Sequence, residues 1–184
     1  MTQISRRNLA LGILATPLAA CGNGIGNNRA GTIDARVDST LNFLYQNYPG
    51  TQDLSNRAAG MLVRPLITEG GLGLGGAFGF GALRIGPTTV DYYSSASGSA
   101  GLQIGAQQFS SVLFFMTEDA LLDFRKADGW AASAGLEYVA AQQGETLRAE
   151  TITSLSPVIA VIFAQTGLRI GATLEGTKYT RIIP

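Results

Sequence analysis

The chain has 184 residues, 46% of them hydrophobic and 14% charged, with a mean hydropathy of +0.18; this suffices for one domain with a core and is not a disordered composition. Its 13 basic and 13 acidic residues balance, so no charge excess points to nucleic acid. Histidine is absent, which removes the commonest general base and the commonest metal ligand together.

The chain opens "MTQISRRNLALGILATPLAAC". Arg6 and Arg7 precede an apolar run at residues 9–15 that is too short to span a bilayer. Leu18-Ala19-Ala20 then leads to Cys21, the only cysteine. Small residues before a cleavage point mark a signal peptide, and Leu-Ala-Ala-Cys has the form of the bacterial lipoprotein box, where cleavage precedes an acylated cysteine. The expectation is a signal peptide over residues 1–20, lipidation at Cys21, a flexible tether over residues 21–32 and a single domain over residues 33–184. A secretory signal followed by an incidental free cysteine is the alternative. Acyl chains would hold the protein on an envelope membrane facing the periplasm, each buried methylene contributing about 0.8 kcal/mol. By analogy with lipoprotein sorting, Gly22 favours the outer membrane, while the arginine pair after Ser5 leaves general and twin-arginine export both open.

Residues 34–48 read as a helix, because Val37, Leu41, Leu44 and Tyr48 recur at intervals of four, three and four before Pro49-Gly50 stops it. Residues 55–63 read as a second helix ending before Pro65. From Ile67 the pattern turns to strands. Residues 81–86 and 88–93 are short β-like runs around Gly86-Pro87, residues 94–101 read as a loop, and residues 102–116 as a strand apolar on both faces at its end. Thr117 resembles an N-cap, Glu118 and Asp119 fill a first turn, Arg125 and Lys126 a last turn, and Gly129 closes it, so residues 118–128 are predicted helical. Residues 131–142 read as a strand, followed by a polar connection through Pro157. Residues 158–164 and 167–175 form a predicted hairpin, and residues 178–183 the last strand. The order lacks βαβα alternation. The predicted fold class is α+β: N-terminal helices followed by a curved, barrel-like antiparallel β-sheet with one inserted helix.

"GGLGLGGAFGFG", residues 70–81, raises the one catalytic-looking motif. Gly71, Gly73 and Gly76 satisfy G-x-G-x-x-G, and Asp91 follows at the distance where a ribose-binding acid belongs. A dinucleotide site needs a helix after the glycines to offer its amides to the pyrophosphate. Eight of the seventeen residues from 70 to 86 are glycine, and each costs a helix about 0.8–1.0 kcal/mol relative to Ala, so no helix is expected there. Glycines in strands instead mark bulges, tight curvature or close backbone approach; the run is expected to let a sheet bend while its leucines and phenylalanines fill the core. Other chemistry fares no better. "SGSAG" lacks the G-x-S-x-G spacing, an acylated Cys21 is no nucleophile, and a transition metal would lack both His and free Cys. Glu118, Asp119 and Asp123 read as helix-start acids. No enzyme, metal or cofactor is expected.

Four stretches ordered along residues 64–182, "RPLITEGGLGLGGAFGFGAL", "SAGLQIGAQ", "VLFFMTEDALLDF" and "GLRIGATLEG", together resemble the SYLF lipid-binding domain. "RPLITEGGLGLGGAFGFGAL" is similar to the family's proline and glycine-rich stretch. "SAGLQIGAQ" resembles its Ser-x-Gly-x-Gln-x-Gly strand, "VLFFMTEDALLDF" its apolar strand and helix, and "GLRIGATLEG" its glycine-bearing ending. Gly101, Gln103 and Gly105, with Gly167, Gly171, Leu174 and Gly176, agree in both order and spacing. Ser110 stands where the family has aspartate. The resemblance implies membrane-lipid binding without catalysis and without nucleic acid. It places Arg64 and Arg84 where they could meet phosphate head groups, a solvated or carboxylate-paired arginine being the alternative for each. A structural or partner-binding envelope protein, its contacts carried by loops 94–101 and 142–157, is the second reading. A histidine-free enzyme would need two converging carboxylates in a deep pocket.

Overall fold

The computed structural model describes residues 28–127, 129–131, 136–140, 156–163 and 176–184. Among these are three helices, α1 (Arg29–Asn47), α2 (Gly50–Arg57) and α3 (Glu118–Lys126). The six strands are β1 (Gly60–Ile85), β2 (Thr88–Phe115), β3 (Trp130–Ala131), β4 (Leu136–Ala140), β5 (Val158–Phe163) and β6 (Lys178–Ile182). The fold is α+β, as predicted.

One long hairpin organises the molecule. Strands β1 and β2 pair antiparallel from Gly60↔Phe115 to Ile85↔Thr88 around Gly86, whose φ of +57° suits glycine. The register shifts between Arg64 and Ile67, between Leu72 and Leu74, and between Leu83 and Arg84; such irregularities bend a strand and increase its twist. The hairpin curls until the two halves of β1 meet. A Cβ added to Gly79 would come 2.8 Å from the Leu66 carbonyl oxygen, and one on Gly81 would collide with the Val63 carbonyl. The glycine run therefore permits a close approach of backbone to backbone.

Strand β2 is long enough to serve two partners in turn. Residues Tyr92–Ala96 pair with β6 and residues Ser110–Phe115 with β5, both antiparallel. Strand β3 extends the sheet beyond β6, and β4 lies beyond β5 in the sheet's parallel pairing. Among the described residues the ladders leave the sheet open, so the barrel-like expectation becomes strong curvature without closure.

Two apolar clusters flank the β1–β2–β5 layer. Leu62, Ile67, Leu83, Tyr93, Leu113, Phe115, Phe124 and Tyr179 pack inside the curl. Val37 and Leu44 of α1, Tyr48 just beyond it and Leu54 of α2 cover Met61, Val63, Val112, Phe114, Val161 and Phe163 on the other face. Successive strand residues point to opposite faces, so β5, buried along its whole length, feeds both clusters. Each fully buried side chain of this size contributes about 1.5–3 kcal/mol.

Several local expectations change. Helix α1 begins at Arg29, within the expected tether, and α2 ends at Arg57, so residues 60–63 are strand rather than helix. Met61 and Val63 face the helices while Leu62 faces the curl, and a short run buried on both faces has no period that separates strand from helix. Residues 94–101 form no loop: they run through β2, with Ser94, Ser95 and Ala96 held between β1 and β6. The α3 reading is matched closely, the Thr117 hydroxyl accepting from the Ala120 N–H at 3.2 Å and Gly129 adopting φ +89°. Within the predicted strand over residues 131–142, Ala131 belongs to β3 and Leu136–Ala140 form β4; residues 132–135 and 141–142 lie outside the described residues. The hairpin segment at 167–175, the connection at 141–155, and Cys21 with the signal peptide lie outside the described residues.

Candidate functional site

Where β1 curls against itself it leaves a groove of about 520 Å³, within the range of small-ligand sites. Pro65 and Leu66 form one side, Phe78 and Phe80 the other, and Gly76 and Gly79 contribute bare backbone. Phe78 is 50% exposed and Leu66 37%. Phe78 and Phe80 sit edge to face, with ring centroids 4.9 Å apart. Alternation in the strand puts both rings on one side, but that side is the groove, so the expectation that these phenylalanines fill the core is corrected.

The N-terminal half of α1 forms the remaining wall, through Ile33 and Arg36. The Arg29 guanidinium lies 5.9 Å from the Phe80 ring centroid, within cation–π range. The groove is thus apolar along its length and cationic at its helical rim. It suits an apolar chain ending in an anionic group.

A polar cluster fixes α1 in place. Arg84 Nη2 lies 2.7 Å from Asp38 Oδ1 and 3.7 Å from Asp34 Oδ1, and Arg84 Nη1 donates to the Pro87 carbonyl at 2.7 Å. Asp34 also accepts from the Thr89 hydroxyl and the Tyr92 hydroxyl, both at 2.8 Å. Burial raises the Tyr92 pKa, and the hydrogen bond and charge of Asp34 add to the rise against an opposing effect of Arg84.

The two arginines singled out in the sequence occupy different places. Arg64 is 1% exposed. It crosses the interior of the curl, its Nη1 donating to the Ser95 hydroxyl at 3.2 Å and its guanidinium lying 4.9 Å from the Tyr179 ring centroid. Ser95 in turn donates to the Gly79 carbonyl at 3.3 Å. Arg84 is carboxylate-paired and only 11% exposed. The structure therefore does not bring Arg64 and Arg84 together as surface ligands for a head group: the first is internal and the second holds α1. Sequence reasoning missed Arg29, Arg36, Leu66 and Phe78. Spacing by two at Phe78 and Phe80 was the available signal, but it could not distinguish a core face from a groove.

Residues 96–181 match the family model Ysc84, described as Las17-binding protein actin regulator. A comparison with curated proteins gave no match. The matched segment contains the Gly101-Gln103-Gly105 and Gly167–Gly176 motifs. It also contains Ser110, which donates to the Pro65 carbonyl at 2.7 Å and so satisfies the backbone at the β1 irregularity. The groove lining, residues 33–80, precedes it. Over residues 96–181 the chain is therefore similar to the Ysc84 family, in accord with the SYLF resemblance of its motifs.

Proposed function

We propose that the protein is a non-catalytic, lipid-binding lipoprotein of the bacterial envelope, anchored through acylated Cys21 and facing the periplasm. The observation that carries the lipid reading is the apolar groove at the β1 curl with Arg29 and Arg36 at its rim. Apolar walls with a few placed polar groups are the usual construction of a small-molecule site, and the cations complement an anionic lipid. The anchor rests on the Leu-Ala-Ala-Cys sequence. Mass spectrometry of lipids co-purifying with the full chain tests the lipid reading: a stoichiometric anionic lipid is expected, and a lipid-free preparation from native membranes contradicts it. Fractionation of the Cys21→Ala variant tests the anchor separately. Release from the membrane fraction is expected, and full retention refutes it.

A protein-binding role is the second reading. The matching family's description names Las17 binding, and a protein ligand could use the same exposed Phe78 and Leu66. Specific capture of one envelope protein, lost on Phe78→Asn and unaccompanied by lipid, would favour it.

A further inference from the structure

A second concavity, of about 480 Å³, lies where the C-terminal end of α3 meets β2 and β6. Its chemistry is opposite to that of the groove. Arg125, Lys126, Lys178 and Arg181 all line it, together with Tyr93. Asp91 is the described carboxylate that engages them. It lies 3.0 Å from Arg125 Nε and 3.5 Å from Arg181 Nε, so one carboxylate orients two guanidinium groups through their Nε edges. Arg181 Nη2 also donates to the Arg125 carbonyl at 2.9 Å, tying β6 to the helix end. Among the described residues, four cations against Asp91 leave an excess of three positive charges.

Donors on three of these residues are uncommitted. Among the described residues neither Nη group of Arg125 and neither the Lys126 nor the Lys178 ammonium makes a hydrogen bond or ion pair. The Tyr93 hydroxyl is buried in the same wall, beside Arg181. Lys178 is held over the turn after α3, since a Cβ on Gly129 would come 2.5 Å from Lys178 Cε. Four like charges gathered in one concavity repel one another, and planar guanidinium groups beside ammonium groups match the oxygens of a phosphate. Burial raises the Tyr93 pKa although Arg181 and Arg125 both favour its ionised form, consistent with a positive field at the pocket wall.

We infer that this pocket binds a phosphate group, carried either by a lipid head group or by a free phosphate ester. The site is separate from the groove, with no lining residue in common, so its test does not depend on the proposal made for the groove. Equilibrium binding of glycerol 3-phosphate by calorimetry forms one arm. Flotation of the full chain with phosphatidic acid vesicles, against phosphatidylcholine vesicles, forms the other. Each is run on wild type, Lys126→Gln/Lys178→Gln and, as a charge control outside the pocket, Arg57→Gln.

Saturable binding in either arm, weakened about tenfold or more in the lysine double variant and little changed in Arg57→Gln, supports the site. Binding of the soluble ester identifies a free ligand, and binding confined to phosphatidic acid identifies a head group. Failure to bind in both arms, or equal weakening by Arg57→Gln and by the double variant, overturns the inference. Both lysines are exposed, so the double variant is expected to fold; an unchanged thermal midpoint confirms that the loss is at the pocket.

Discussion

The guanidinium of Arg64 lies 4.9 Å from the ring centroid of Tyr179, inside the curl and shut off from solvent. The two residues come from opposite ends of the domain, and the contact joins the first half of β1 to the strand that pairs with Ser95. Its stem also packs where Gly81 leaves room, since a Cβ there would come 2.8 Å from Arg64 Cγ. Arg64 is therefore a structural residue. Arg64→Ala is expected to destabilise the fold by about 2–4 kcal/mol, the cost of emptying a large buried site, read from denaturant midpoints. A head-group ligand would behave in the opposite way, leaving stability intact and weakening vesicle binding.

The same curl separates two glycine positions in one hairpin. Gly79 faces the Leu66 carbonyl at a distance no Cβ tolerates, whereas an added Cβ at Gly98 meets nothing within 4 Å. Gly79→Ala is expected to cost about 1–3 kcal/mol through forced backbone movement. Gly98→Ala should be neutral or stabilise by up to about 1 kcal/mol, by restricting the unfolded chain. Paired thermal melts of the two variants check this, and equal effects would show that the glycines act by flexibility alone.

Alkaline stability follows from buried tyrosines. Tyr48 is fully buried and its hydroxyl has no partner among the described residues; burial raises its pKa, and burial likewise raises that of Tyr93. Above the unfolded value of about 10, the unfolded chain loses these protons while the folded protein keeps them. Stability then falls as pH rises, by at most about 1.4 kcal/mol per pH unit for each tyrosine. Below about pH 9 these groups contribute no slope. Tyr48→Phe keeps the ring beside Phe163 (centroids 6.2 Å apart) and should flatten the alkaline decline. Denaturation curves from about pH 8 to 11 test this, and an unchanged slope in the variant would contradict it.

Much of the fold was legible in the residues, and the exceptions have physical causes. Helix α3 announced itself through Thr117, its ordered charges and Gly129, all local signals. The change from helices to strands was also visible, but residues 60–63 were not, because their side chains are buried on both faces. Residues 94–96 looked like a loop because they are small and polar. They are small where the curl brings Arg64 onto Ser95, a contact between residues 31 apart that no local pattern encodes. The glycine run was legible as strand rather than as the start of a helix, but the groove it creates depends on Leu66 meeting Gly79 across a bend. The cations of the second pocket come from α3 and β6, more than fifty residues apart in sequence, and only the sheet order brings them together.

The central claim is that the β1 groove takes lipid, and vesicle binding by a groove variant tests it most directly. The full chain and its Leu66→Asn/Phe78→Asn variant would be titrated against vesicles of anionic phospholipid. Both side chains are substantially exposed, so the thermal midpoint should hold. Removing two apolar contacts of about 1.5–3 kcal/mol each when fully buried should weaken binding at least about tenfold. A variant that folds and binds as tightly as wild type would contradict the account.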